Sequence, residues 1–146
     1  LLTRQNLTNL STTSYEGVCK GAYIVGKEDE RIDAILIASG SEVNLAMQAK
    51  EELKKENIDV RVVSMPSQDL FDKQSPEYKE SVLPNSIRKR LSIEMASSFG
   101  WGKYVGLDGI TMAIDRFGAS APANDVITNY GFTVDKVKEN VYKLVK

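Results

Sequence analysis

Apolar residues occur along this chain in short continuous runs and in helical stripes, a pattern that predicts an α/β fold. The continuous run Ala34–Ala38 is typical of a strand covered on both faces, as in a parallel sheet between two helix layers. A helical segment follows and extends to about Asn57, with its apolar residues on one stripe. Residues 59–65 predict the next strand, so strand, helix and strand succeed one another within about 30 residues.

The same alternation continues through the rest of the chain. Further strands are predicted at 22–25, 91–95 and 110–114, and further helices at 76–83, 122–131 and 133–145. Residues 66–73 are predicted to form a loop or a short turn. The pattern therefore predicts a three-layer αβα domain with a mainly parallel sheet of about five strands, in which residues 22–25 form one antiparallel edge strand.

The first 21 residues differ from the rest because they are polar and rich in Ser, Thr and Asn. They predict a linker, which we call the strap, and the α/β domain is predicted to cover residues 22–146. The chain begins without Met, which suggests a segment of a longer protein.

Composition restricts the class of protein. With 146 residues, 42% of them hydrophobic and 27% charged, the chain is expected to form one soluble domain. The net charge of -1 provides no basic excess for nucleic acid or an anionic membrane, so we expect neither partner. No apolar run approaches the roughly 18 to 20 residues of a membrane span, and a signal peptide is not evident, which indicates a cytoplasmic protein.

The chain contains no histidine and a single cysteine, Cys19. These counts exclude a Ser-His-Asp or Cys-His nucleophile system, a His/Cys zinc site and an internal disulfide within the chain. Any chemistry must use carboxylates or lysines, or its other components must belong to a different chain segment. Cys19 itself lies in the polar strap without neighbouring bases and is expected to be inert.

Three candidate sites lie in or directly after predicted strands. Ser39-Gly40-Ser41 joins a strand to a helix, and the favoured interpretation is that Ser39 or Ser41 caps the helix, with an anion or nucleotide site as the alternative. Glu94 lies in a largely covered strand, so its carboxylate is expected to have a raised pKa or a partner. Asp115 and Arg116 follow the last strand and are expected to form an exposed local ion pair.

Basic and aromatic residues provide the remaining candidates. The triplet Arg88-Lys89-Arg90 is expected to be a solvated edge, and Trp101 and Tyr104 are expected to pack at a domain or subunit interface. Arg4, in the strap, offers a planar fork of donors suited to a phosphate, although chemistry alone favours an ordinary surface arginine.

Several segments, in their order and spacing, resemble the C-terminal domain of transketolase essentially from end to end. The segments are Thr3-Arg4-Gln5-Asn6-Leu7, Ala38-Ser39-Gly40-Ser41-Glu42-Val43, Arg61-Val62-Val63-Ser64-Met65-Pro66, residues 71–84, Trp101-Gly102-Lys103-Tyr104 and Asp115-Arg116-Phe117-Gly118-Ala119-Ser120. Other thiamine enzymes, such as ketoacid dehydrogenase subunits and deoxyxylulose-phosphate synthases, are less similar in residues 71–84 and in Trp101-Gly102-Lys103-Tyr104, which we call the tryptophan turn.

The resemblance implies the C-terminal domain of a homodimeric enzyme that transfers a two-carbon ketol unit between sugar phosphates in the pentose phosphate pathway. It implies that thiamine diphosphate and a divalent cation, Mg²⁺ or Ca²⁺, bind to other domains, that the strap leaves the preceding cofactor-binding domain, and that this chain alone is inactive. One site residue carries over, because Thr3-Arg4-Gln5 is similar to the family's Ser-Arg-Gln motif, whose arginine binds the substrate phosphate. A regulatory anion- or nucleotide-binding module remains the alternative function.

Overall fold

The computed structural model describes residues 6–146. Five strands form one sheet: β1 (Tyr23–Gly26), β2 (Ala34–Ala38), β3 (Val60–Ser64), β4 (Arg90–Ile93) and β5 (Ile110–Met112). Seven helices accompany them: α1 (Tyr15–Cys19), α2 (Glu42–Lys54), α3 (Gln68–Asp72), α4 (Pro76–Val82), α5 (Gly102–Val105), α6 (Ala123–Asn129) and α7 (Val134–Val145).

The strand order is β1-β3-β2-β4-β5, and all pairs are parallel except the edge pair of β1 with β3. In the centre of the sheet, Leu36 lies opposite Val62 on one side and Leu91 on the other. All five residues of β2 are buried, as expected for a strand with helices over both faces. The predicted mainly parallel sheet and its antiparallel edge strand are confirmed.

Two apolar cores lie on the two faces of this sheet. On one face, α2 and α7 contribute Ala46, Leu53 and Val141, which pack over Leu36. The other face is covered by α3, α4 and α5. This arrangement confirms the three-layer αβα architecture.

Three short helices, α1, α3 and α5, occur where the hydrophobic pattern predicted none. Residues 66–73 contain α3, whose first turn is capped by Ser67, because its Oγ accepts the N–H of Leu70 at 3.3 Å. The strap contains α1, capped in the same way by Ser14, whose Oγ accepts the N–H of Gly17 at 3.1 Å. None of the three has more than five residues, which is too few to show a 3.6-residue periodicity. The prediction of a loop or turn for 66–73 was therefore wrong.

The tryptophan turn is part of the core on the α3, α4 and α5 face. Trp101 and Tyr104 are both buried, and the Tyr104 ring lies 6.2 Å from that of Phe71 in α3. Their predicted place at a domain or subunit interface was therefore wrong. Both rings stabilise the domain itself, because they are buried in the apolar core on this face of the sheet.

Candidate functional site at the carboxyl edge of the sheet

The carboxyl ends of parallel strands meet at one edge of the sheet, where sites in open α/β folds gather. At this edge Ser39–Ser41 follows β2, Glu94 follows β4, and Asp115 follows β5. The fold thus brings these three sequence candidates to one side of the domain. The basic triplet, the tryptophan turn, Cys19 and Arg4 are the candidates that do not belong to this group.

The hydroxyl groups before α2 bind carboxylates and do not cap the helix. Ser39 Oγ donates to Glu94 Oε2 at 2.8 Å, and Ser41 Oγ donates to Glu42 Oε2 at 3.0 Å. Ser41 occupies the N-cap position with a helical backbone conformation, and its side chain makes no capping bond. The capping prediction for Ser39 or Ser41 was wrong, whereas the partner expected for Glu94 is present.

Glu42 is more deeply buried than the other carboxyl groups at this edge, those of Glu94 and Asp115. Its residue is 5% exposed, and its Oε1 accepts the N–H of Met95 at 3.1 Å, so it joins the start of α2 to the segment after β4. Burial raises the pKa of Glu42, and the negative charge of Glu94 raises it further, while the hydrogen bonds from Ser41 and Met95 oppose the shift. Two neighbouring carboxyl groups make this helix terminus unfavourable for anions, which argues against the alternative nucleotide site.

Beside these carboxyl groups, the strap covers a cleft of about 320 Å³. The cleft lies between strap residues, the start of α2 and the helix α6, and its lining residues are Asn6, Leu7, Thr8, Ser41, Glu42, Asn44, Leu45, Gln48, Met95, Asn124, Ile127 and Phe132. Among the lining residues within 6–146, Glu42 is the one ionisable group. The strap therefore meets the domain at the carboxyl edge.

Asp115 fastens two loops of the edge together. Its Oδ1 accepts the N–H of Ser98 at 2.8 Å and lies 3.4 Å from the hydroxyl of Ser97, and these bonds lower the pKa of Asp115. Arg116 lies over the ring of Tyr130, with its guanidinium carbon 4.5 Å from the ring centroid. The expected ion pair between Asp115 and Arg116 was wrong, because each group has a different partner.

A second cleft of about 320 Å³ lies on the α3, α4 and α5 face. Within it Arg90 donates to the main-chain carbonyls of Leu83, Pro84, Ile87 and Tyr104, at 2.8 to 3.1 Å. The expectation that the whole basic triplet is solvated was therefore wrong for Arg90, whose hydrogen bonds join three segments of the chain. Neighbouring Arg88 is exposed and pairs with Asp108.

Asp72 organises the other end of this second cleft. Its carboxylate accepts the Tyr104 hydroxyl at 2.9 Å and the Lys103 ammonium at 2.5 Å, which hold the pKa of Asp72 below its usual value. Burial and the bond to Asp72 raise the pKa of Tyr104. The sequence analysis did not predict this cluster of Asp72, Lys103 and Tyr104, because residues about 30 positions apart in the chain form no local sequence pattern.

Arg4, the residue predicted to bind a substrate phosphate, lies outside the described residues. Within residues 6–146, no group of three or more His, Cys, Asp or Glu side chains is arranged to hold a metal ion. Cys19 is exposed. No helix in that same range is long and apolar enough to cross a membrane.

The fold and its carboxyl edge define a three-layer α/β module whose polar edge residues bind one another. A family model described as the transketolase-like C-terminal domain matches residues 21–133. The chain belongs to this family, and the resemblance seen in the sequence is confirmed.

Individual relatives agree with the family model. The chain is 60% identical to a transketolase of Bacillus subtilis (strain 168), over 99% of this chain and 22% of that protein. A solved structure of a transketolase variant from Pichia stipitis is 42% identical, with a TM-score of 0.90, over 97% of this chain and 20% of that one. A second structure from that organism, in complex with sedoheptulose 7-phosphate, is 43% identical with a TM-score of 0.89 and the same coverage. The chain thus spans about a fifth of the length of these relatives.

Proposed function

We propose that this chain acts as the C-terminal domain of a transketolase, which transfers a two-carbon ketol unit between sugar phosphates in the pentose phosphate pathway. The 60% identity to a transketolase across 99% of the chain is the observation that carries this proposal. The relative solved in complex with sedoheptulose 7-phosphate supports sugar phosphates as the substrate class. The enzyme is proposed to be cytoplasmic and homodimeric.

Thiamine diphosphate and Mg²⁺ or Ca²⁺ are assigned to the remainder of the full-length enzyme. A divalent cation needs several oxygen ligands converging on one point. Glu94, Glu42 and Asp72 are instead each bound by a hydroxyl, amide or ammonium donor, and within residues 6–146 no group of three or more His, Cys, Asp or Glu side chains is arranged to hold a metal ion. The described residues, 6–146, therefore do not fit the metal. The domain is proposed to support the dimer and to be inactive alone.

Arg4 is proposed as the one residue of this chain that touches substrate, as an anchor for its phosphate group. A guanidinium group provides parallel N–H donors that match phosphate oxygens. The support is the similarity of Thr3-Arg4-Gln5 to the family's Ser-Arg-Gln motif, in which Thr retains the hydroxyl of Ser.

The function is tested by comparing the full-length protein with the 146-residue chain. Both are assayed for ketol transfer with thiamine diphosphate and Mg²⁺, and cofactor binding is measured by isothermal titration calorimetry. We expect activity and saturable heat from the full-length protein only, with circular dichroism confirming that the short chain is folded. Cofactor binding by the short chain would contradict the proposal that thiamine diphosphate binds to the remainder of the enzyme. An inactive full-length protein would contradict the proposed transketolase function.

A further inference from the structure

Two phenylalanine side chains project almost entirely into solvent at the carboxyl edge. Phe99 is 91% exposed and Phe117 is 99% exposed. Each follows a strand that ends at this edge, since Phe99 lies beyond β4 and Phe117 beyond β5. Large rings displayed in this way are typical of a surface that contacts another protein unit.

The loops that carry the two rings, 96–101 and 113–119, are joined by several hydrogen bonds, and we call them the docking loops. Asp115 in one loop accepts the N–H of Ser98 in the other at 2.8 Å, and the N–H of Ile114 donates to the carbonyl of Ala96 at 2.8 Å. The Tyr130 hydroxyl donates to the carbonyl of Phe117 at 2.6 Å. Ordering loops before contact lowers the entropic cost of binding, so these bonds favour a docking role.

The position of the strap indicates which unit the rings contact. Asn6, Leu7 and Thr8 line the carboxyl-edge cleft together with Met95, and Met95 immediately precedes the first docking loop. A unit that precedes the strap along the chain is therefore connected at the edge where the rings project. Relatives of this chain are about five times as long, which leaves ample chain for such a unit.

We propose that the docking loops contact the domain that precedes the strap in the full-length chain, with Phe99 and Phe117 as the anchoring side chains. This inference rests on the proposed function, because it requires a longer chain that contains that domain. A buried phenylalanine contributes about 150–250 Å². Two of them provide a large part of one side of an interdomain interface, which buries about 600–1,500 Å² in all.

Leu107 provides a matched control at the opposite edge of the sheet. It is 97% exposed and lies just before β5 begins, so it belongs to the amino edge. Its exposed fraction in this domain lies between those of the two phenylalanines, and the proposal places no partner over it.

The test measures the accessibility of these three positions in the full-length enzyme. Phe99→Cys, Phe117→Cys and Leu107→Cys are made separately in a Cys19→Ser background. Each enzyme is treated with a small thiol reagent, and the labelling rate at the introduced position is followed by peptide mass spectrometry. We expect the introduced thiols at the docking loops to react at least about tenfold more slowly than the one at position 107, because burial hinders access to the thiolate.

Equal labelling rates at all three positions would overturn the proposal. The experiment is repeated at decreasing enzyme concentration, with subunit dissociation followed by analytical ultracentrifugation. Protection that persists in the dissociated monomer supports the preceding domain as the partner, whereas protection lost with dissociation identifies the second subunit and overturns the assignment. Ketol transfer by the unlabelled parent is measured in parallel: activity with equal labelling rejects only the docking surface, and inactivity rejects the proposed function.

Discussion

Arg61 of β3 holds the carboxylate of Glu28 with two parallel hydrogen bonds, from Nε to Oε2 at 2.8 Å and from Nη2 to Oε1 at 2.5 Å. Its Nη1 donates to the carbonyls of Ser81 and Val82, at the end of α4. Both side chains are largely buried, and the guanidinium lowers the pKa of Glu28. One side chain thereby connects the central sheet, the segment after β1 and the helix layer on one face.

We expect Arg61→Met to destabilise the domain by about 3–5 kcal/mol, because it leaves the Glu28 carboxylate buried without its partner. The free energy of unfolding is measured by urea denaturation at neutral pH. Arg88→Met is the control, since its pair with Asp108 is exposed, and such pairs contribute about 0–1 kcal/mol. Similar losses in the two variants would show that burial of the pair is unimportant.

The raised pKa of Glu42 predicts a pH-dependent stability. The folded domain binds this proton more tightly than the unfolded chain, so the free energy of unfolding falls as pH rises from the usual glutamic acid pKa of about 4.3 through the raised value. Glu42→Gln should remove this fall. The neighbouring groups are the Glu94 carboxylate, the hydroxyls of Ser39 and Ser41, and the Met95 amide.

The measurement is urea denaturation from about pH 4 to about pH 8, in steps, on Glu42→Gln and on Glu51→Gln. Glu51 is an exposed carboxyl group on the same helix, so its substitution should retain the pH dependence of the parent. A Glu42→Gln variant whose stability still falls over this window would place the titrating group elsewhere.

Gly21 is expected to tolerate no side chain. Its φ of +85° is left-handed, and a Cβ there would lie 2.3 Å from the amide nitrogen of Phe71 and 2.4 Å from the carbonyl oxygen of Ser67. Gly21→Ala should lower the free energy of unfolding by about 2 kcal/mol or more, since left-handed strain alone costs about 1–3 kcal/mol.

Gly102→Ala is the matched control for this substitution, because no atom lies within 4 Å of its added Cβ. Reduced freedom of the unfolded chain should make Gly102→Ala neutral or stabilising by about 0.4–1 kcal/mol. Thermal and urea unfolding of both variants separate the two effects. A Gly21→Ala variant as stable as the parent would contradict the close packing of α3 against the end of the strap.

If Arg4 anchors the substrate phosphate, Arg4→Ala in the full-length enzyme should raise KM for phosphorylated donors and acceptors. Loss of a charged hydrogen bond costs about 1.5–3 kcal/mol, which corresponds to about 10- to 150-fold. Unphosphorylated analogues should be affected little, and Arg88→Ala should leave both kinds of substrate unchanged. Equal effects of Arg4→Ala on both kinds would refute the anchor role.

The sequence determined the elements whose signal is local. The buried run of β2, the amphipathic stripe of α2 and the proline at the start of α4 each predict their element, because strand burial, helical periodicity and proline geometry act over a few residues. Thr133, a residue type favoured at the N-cap, precedes α7, and its Oγ1 accepts the N–H of Lys136 at 3.2 Å. These local signals, together with the family motifs, were sufficient for the architecture.

The tertiary structure decided which groups meet. Ser39 and Glu94 are 55 positions apart, and only the adjacent ends of β2 and β4 make the hydroxyl a donor to that carboxylate and not a helix cap. Arg90 turns inward because four carbonyls from three separate segments of the chain converge on it. Hydrogen bonding and burial depend on distances between remote parts of the chain, so the sequence determined the layers of this domain while packing determined the partners of its charged groups.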